Sequence, residues 1–409
     1  MKTIDKTRLA QIPAALQPFI DRRELAGIVL QTWHRGELVQ AENLGFRNLE
    51  TQTPMTSDTL FRIASMSRVP TSVAVMMLVE EGKLALQDPV KRWLPELANR
   101  QVLRNAEGPV DDTVPANRDI TIDDLLTHRS GLAYGIFSQG PIAGAYFAAL
   151  GDPRVMGLPS DKWIAALGTL PLSYQPGERM NYGHSTDVLG VLLERIEGKR
   201  LGVILNERIF APLGMKDTGF FVPEGAQGRI ATTYGFDKAA GKLVPSAMPV
   251  SATPPVFDAG GTGLVSSAPD YARLARMLLN EGTLDKVRVL RPETVRTMAS
   301  NHLTAQQRTY PFIGRPIWDG MGFGLGLGVV DIPEKSLLGY GSRGAFGWPG
   351  AWGTWWQSDP ANDLAMVYMI QHEMPLSPDA GDVIAGGQGM AGRMALPVYQ
   401  KLTYGALSG

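Results

Sequence analysis

The apolar positions change rhythm twice along the chain. "AGIVLQTWHRGELVQAENLGFRN", residues 26–48, places β-branched and apolar residues on both sides of a His34-Arg35-Gly36 turn, and this pattern predicts an antiparallel hairpin. Before it, "MKTIDKTRLAQIPAALQPFIDRRELAG" reads as a first helix. From about Val69 to Arg308 the rhythm becomes helical, with Pro/Gly-rich loops between the segments. "DKWIAALGTL", "STDVLGVLLERIEG" and "APDYARLARMLLNEG" all carry apolar residues at helical spacing, the last opening on Pro269 and Asp270. Strand patterns return in "GFGLGLGVVDI", "GAFGWPGAWGTWWQSDP" and "NDLAMVYMIQ", the last two joined by a turn at Ser358 to Asn362, and a closing helix is predicted from Gly387 to Tyr404. Strands at both ends with helices between them predict an α/β fold of the α+β type, with one antiparallel sheet built from both chain ends. The sheet layer takes about residues 1–68 and 310–409, and a mainly helical region takes about 69–309.

This order excludes the alternating pattern of a doubly wound sheet. The glycines of "GFGLGLG" precede no helix, so nucleotide binding is not expected. "GHSTD", residues 183–187, has Asp187 where a nucleophile elbow needs its second glycine, which excludes the α/β-hydrolase arrangement.

Composition narrows the partners. The 409 residues are 44% hydrophobic and 19% charged, enough to bury a sizeable core in a single unit. Lys+Arg 39 against Asp+Glu 40 leaves a net charge of -1 without blocks of like sign, so no nucleic-acid partner is expected. No apolar run approaches the ~18 residues of a spanning helix, and the N-terminus lacks the apolar core of a signal peptide. A cytoplasmic protein without a membrane partner is the expectation. Cys 0 removes disulfides and thiolate chemistry, and the His 5 are scattered without metal-ligand spacing, so neither a metal nor a cofactor is expected.

One short segment carries chemistry. In "FRIASMSRVPTSVAVMMLVEEGKL", residues 61–84, an apolar strand end turns through small hydroxyls into a helix, with Ser65 at the turn and Arg68 three residues on, on the same helical face. By itself Ser65 reads as a helix cap. "ITIDDLLTHRSGL", "PGERMNYGHSTDVLG", "GGTGLVSSAPDYARLARMLLNEG" and "FGWPGAWGTWWQSDPANDLAMVYMIQ" follow it at characteristic intervals. In order and spacing these five segments resemble the serine β-lactamase-like superfamily, nearest to family VIII carboxylesterases and class C β-lactamase relatives, over nearly the whole chain. The resemblance implies a β-lactamase/transpeptidase-like fold forming a single catalytic unit, with Ser65 at the position of the acylating serine. It further implies that Tyr182 exchanges protons with that serine, and that Trp348, Pro349 and Gly350 occupy the strand replacing the lysine-threonine-glycine motif. The chemistry is coherent: a helix N-terminus favours developing negative charge, and a strand N–H beside the serine's own can hold a tetrahedral oxyanion.

The chain departs from the pattern at three places. Arg68 stands where the family has lysine, and no serine in the chain has a lysine three residues later. Val69-Pro70 predicts an irregular first helical turn. Pro349 removes one backbone N–H beside the substrate strand, leaving those of Gly350 and Ala351. A guanidinium with pKa above ~12 costs at least about 7 kcal/mol to deprotonate at neutral pH, so Arg68 is not a general base. Tyr182 starts near ~10, and a cation within reach lowers such a group by ~1 to 3 units, which makes a phenolate held by Arg68 accessible. His184, two residues beyond, is a second proton acceptor or substrate contact, with helix capping as its plain alternative. Trp348, Trp352, Trp355 and Trp356 suit a pocket for an apolar or aromatic ester, and in part simply strand packing.

Three function classes follow. The first is a serine hydrolase or acyltransferase acting on a small carboxylic ester through acyl-Ser65, with Tyr182 as base, Arg68 as fixed cation, and His184, Trp348, Gly350, Ala351 and Trp352 contacting substrate. The second is a lyase or isomerase that never acylates, gripping an anion with Arg68 and moving a proton with Tyr182 or His184. The third is a binding protein without catalysis.

Overall fold

The computed structural model describes residues 2–237, 239–312, 314, 316–336, 339–373 and 391–408. Eight antiparallel strands form the main sheet: β1 (Gly27–His34), β2 (Glu37–Asn48), β3 (Thr53–Pro54), β4 (Met321–Phe323), β5 (Gly328–Val330), β6 (Phe346–Pro349), β7 (Trp355–Asp359) and β8 (Leu364–Met369). Their order is β4-β5-β6-β7-β8-β1-β2-β3. The two chain ends meet where β8 pairs with β1, from Leu364 opposite His34 to Met369 opposite Val29. The first hairpin turns at Arg35 and Gly36, both with positive φ (54° and 76°), the conformation a tight hairpin turn requires.

The period of β8 shows why this sheet is covered on both faces. Ala365, Val367 and Met369 enter the larger core, whereas Leu364, Met366 and Tyr368 enter a smaller one, as alternation along a strand dictates. The five helices that matter here are α1 (Ile12–Asp21), α2 (Arg68–Glu80), α3 (Ser185–Glu197), α4 (Ala268–Leu279) and α5 (Ala395–Gly405). Ile12, Leu16 and Ile20 of α1 and Ala395 and Tyr399 of α5 fill the smaller core, while α2, α3 and α4 contribute to the larger. The arrangement is a helix–sheet–helix stack with the remaining helices joined to the larger core.

Two strand predictions are corrected. "GFGLGLGVVDI" is a hairpin, β4 and β5, and not one strand: Gly326 has φ +89°, and a Cβ on it would lie 2.1 Å from Ser72 Oγ. "GAFGWPGAWGTWWQSDP" likewise folds back on itself, pairing Trp348 of β6 with Trp356 of β7. Gly and Pro punctuate both segments more strongly than their apolar residues extend them. The closing helix begins at Ala395, after a short 3-10 turn at Ala391–Met394; residues 387–390 of that prediction lie outside the described residues.

α2 does start irregularly. A 3-10 turn, Ala64–Ser67, precedes it, and Pro70 has no N–H to return to the carbonyl of Met66. The buried Tyr271 hydroxyl of α4 donates to that carbonyl instead, at 2.9 Å. Removing it leaves that buried carbonyl only the Arg68 N–H, which it shares with the Ser65 carbonyl. Tyr271→Phe is therefore expected to lower unfolding stability by about 1–3 kcal/mol, read as a lower midpoint in a denaturant titration of the variant; an unchanged midpoint would show that the bond adds nothing.

Candidate active site

Ser65 sits in a turn with a constrained entrance. Ala64, immediately before it, has φ +43°, a sparsely populated conformation for a residue with a Cβ and one that clusters at functional sites. Ser65 is half-buried and lines a cavity of about 200 Å³. Its hydroxyl caps neither helical segment: Ile63 is the N-cap of the 3-10 turn and Ser67 that of α2. Ser67 is used structurally, its Oγ accepting from the Leu264 N–H at 3.0 Å. Apolar and aromatic side chains, among them Ile136, Phe137, Met156, Phe220, Phe257 and Trp352, make up much of the wall. Tyr134 also lines it, its phenol pushed above the ordinary range by burial.

The turn between β6 and β7 closes one side of the cavity through Ala351 and Trp352. Gly350 lets it approach: a Cβ there would stand 2.4 Å from the Ile63 carbonyl oxygen and 2.2 Å from Thr354 Oγ1. The N–H groups of this turn are unequal. Gly350 donates to the Thr354 carbonyl at 2.7 Å, whereas the Ala351 N–H has no acceptor among the described residues. Gly350 thus spaces the turn, and Ala351, like Trp352, keeps an N–H without an acceptor among the described residues.

Arg68 is fully buried, 0% exposed. Its Nη1 donates to the Gly183 carbonyl at 2.9 Å and to Thr186 Oγ1 at 3.1 Å. The guanidinium carbon lies 4.2 Å from the centroid of the Tyr182 ring, so it meets the face of the ring. Nε and Nη2 have no partner among the described residues. Among the described residues no carboxylate pairs with it: Asp123 pairs with Arg129, and Asp187 accepts from the Gly261 N–H at 2.8 Å and bonds His184 Nδ1 at 2.9 Å. His128, buried beside Arg68, is held well below the usual imidazole range by burial and by that cation. It is a neutral ring, accepting the Gly183 N–H on Nδ1 at 3.4 Å and facing Thr186 Oγ1 at 3.5 Å.

Tyr182 is 7% exposed, and its Oη accepts a hydrogen bond from Trp348 Nε1 at 2.9 Å. Its ring stands 4.6 Å from His128 and 5.6 Å from Trp348. Arg68, Tyr182 and Trp348 thus form one contact group, and Ser65, Ala351 and Trp352 share the cavity. The two groups are linked by the helical turn from Ser65 to Arg68 and by Phe137, which lines the cavity 6.1 Å from the Tyr182 ring. Neither Tyr182 nor Trp348 is part of the lining around Ser65.

His184 lies apart from the lining. It is 1% exposed, bonded to Asp187 and enclosed by the rings of Tyr134, Tyr146 and Trp163. It is the N-cap residue of α3, but its side chain makes no capping bond. His128, within "LLTHRSGL", is the histidine that packing brings to Arg68 and Tyr182, and its place in that segment is the signal that marks it. Among the described residues no group of three or more His, Asp or Glu could hold a metal ion, and no helix is long and apolar enough to cross a membrane.

This geometry is matched by known proteins. Protein Rv1367c of Mycobacterium tuberculosis is 49% identical over 397 residues, covering 96% of this chain and 98% of its own length. Esterase EstB of Burkholderia gladioli is 30% identical over 381 residues, covering 88% and 89%. The solved structure of EstCE1, described as a hydrolase with promiscuous acyltransferase activity, superposes with TM-score 0.80 at 25% identity over 98% of this chain and 99% of that one. The Beta-lactamase family itself matches residues 12–387. From the strand order to the turn that carries Ser65, the chain belongs to the Beta-lactamase family of enzymes.

Proposed function

We propose that this enzyme is a serine esterase or acyltransferase of the family VIII carboxylesterase type, acting on small apolar carboxylic esters through an acyl-Ser65 intermediate. The observation that carries the reading is Ser65 itself, a half-buried hydroxyl on a strained turn, lining a mainly apolar cavity opposite the free Ala351 N–H. The names of the relatives, esterases among them, agree with it.

In this mechanism Tyr182 reacts as its phenolate, with the fixed Arg68 cation beside it, and takes the Ser65 proton as Oγ adds to the ester carbonyl. The carbonyl π electrons move to oxygen, and the N–H groups of Ser65 and Ala351 hold the oxyanion; the first-turn N–H of Ser65 lacks an intrahelical acceptor by its position. Collapse breaks the bond to the alcohol, which leaves with the proton from Tyr182. Water or a second alcohol then attacks the acyl-enzyme by the reverse sequence. Arg68 stays protonated throughout. It fixes the Tyr182 ring and the Gly183 carbonyl and adds a permanent positive charge beside the proton-transfer path. The anion-clamp alternative is less well supported, because the buried guanidinium donates to the Gly183 carbonyl and Thr186 and lies against the Tyr182 ring.

Three outcomes test the reading. A fluorophosphonate probe is expected to add to Ser65, seen as one adduct by intact-mass spectrometry, and Ser65→Ala and Tyr182→Phe should each abolish turnover of p-nitrophenyl butyrate. Folded protein that takes no label would move the assignment to a non-acylating enzyme or a binding protein. Arg68→Lys is expected to raise turnover on the order of tenfold, since a lysine can be tuned into proton transfer and a guanidinium cannot; a loss would show that the guanidinium is required as it stands. Finally, a cavity of about 200 Å³ lies below the roughly 300–1,000 Å³ of a typical small-molecule site. kcat/KM for p-nitrophenyl acetate and butyrate should then exceed that for the palmitate, and a preference for palmitate would contradict this boundary.

A further inference from the structure

Arg393, in the 3-10 turn before α5, is not explained by the fold. Its Nη2 donates to the Ala351 carbonyl at 2.7 Å and to the His372 carbonyl at 2.8 Å. The residue is half-buried, but its Nε is shielded from solvent and has no partner among the described residues. Placing a cation against two neutral carbonyls costs desolvation that an ion pair would offset and that neutral acceptors offset less. Burial lowers this guanidinium to about 10, so it remains charged at neutral pH.

What it holds is the wall of the cavity. The turn from Gly350 to Thr354 is fastened at several points: Gly350 N–H to the Thr354 carbonyl, Gly353 N–H to the Gly350 carbonyl at 3.0 Å, and His372 N–H to the Trp352 carbonyl at 2.8 Å. Arg393 adds the Ala351 carbonyl and, by bonding His372, secures the residue that in turn holds Trp352. Gly353, with φ +89°, lets the turn pass close to Ile370: a Cβ there would stand 2.5 Å from Ile370 Cδ1, while Arg393 Cζ, at 3.8 Å, would be in ordinary contact. Among the described residues this fastening leaves the N–H groups of Ala351 and Trp352 without an acceptor, and that of Ala351 is flanked by the Gly350 bond and the Arg393 bond.

We infer that Arg393 is a positioning residue for the oxyanion hole, fixing the Ala351 N–H at the place where negative charge develops on the ester oxygen. The inference rests on the acyl-Ser65 reading. An oxyanion donor works only if it is already oriented when charge appears, and losing one donor outright costs roughly 10²–10³ in kcat. Loosening its support costs part of that. Because the donor acts on the transition state, KM changes little.

The test compares hydrolysis of p-nitrophenyl butyrate and of its thionoester by wild type, Arg393→Gln, Arg393→Lys and Ser65→Ala. Sulfur accepts hydrogen bonds weakly, so the ratio of ester to thionoester turnover reads the oxyanion hole and not general folding. Arg393→Gln is expected to lower kcat for the ester about ten- to hundredfold, to leave KM within about twofold, and to reduce the ratio with it. Arg393→Lys, which keeps the charge but lacks a planar fork, should show a smaller fall in the same direction and serves if the Gln variant does not fold. A wild-type ratio in a folded variant, with or without a lower melting temperature, overturns the positioning role while leaving acyl-Ser65 intact. Absence of Ser65-dependent turnover in the wild type overturns both.

Discussion

The close approach of Gly350 to the carbonyl oxygen of Ile63 is the contact on which the site depends. It joins the end of β6, from the C-terminal part of the sheet, to the turn that introduces Ser65, from the N-terminal part. Any side chain at 350 would need to occupy the space of the Ile63 oxygen and Thr354 Oγ1, and such contacts leave room only for glycine. Through it Ala351 comes to line the same cavity as Ser65. The eight-stranded sheet, joined where β8 pairs with β1, holds these two distant segments in a fixed relation.

Arg68 is the counterpart on the other side of Ser65. Burying a guanidinium costs several kcal/mol. A carbonyl bond to a charged donor returns about 1.5–3 kcal/mol, and an aromatic face about 2 kcal/mol when desolvated. With Nε and Nη2 unpartnered, these gains do little more than offset the cost, so stability alone does not account for an arginine here. Its effect is to immobilise the Tyr182-Gly183 segment, together with His128, which burial keeps neutral. The cation meets the face of the phenol ring, and the phenol oxygen is bonded by Trp348 instead. Charge and hydrogen bond therefore act on Tyr182 from separate directions, where a lysine would compete for the oxygen itself.

The architecture was legible in the sequence because it rests on local period. The hairpin, the helical middle and the strand β8 follow from alternation and helical spacing, and the five motif segments carried the family because their order is preserved in the primary chain. The breaks inside "GFGLGLGVVDI" and "GAFGWPGAWGTWWQSDP" were harder to read, since each has apolar residues at strand spacing and only the glycine backbone decides where the chain folds back. Pro70 announced an irregular turn; that Tyr271 would supply the missing donor could not be read, because the two are joined only by packing.

What the sequence determined by itself was the identity of the chemical groups: a serine at a strand-to-helix turn, an arginine one turn later, a tyrosine in "NYGHS", and a proline that deletes one strand N–H. Tertiary structure decided which of them face which. It directed His184 to Asp187 and an aromatic enclosure, set Arg68 against a ring face, used the Gly350 N–H within its own turn, and left that of Ala351 free. It also brought Arg393 to the cavity wall from a position no motif marks. The physical reason is the same in each case: period and turn chemistry act over a few residues, whereas a buried polar atom takes its partner from whatever segment packing places within about 3 Å.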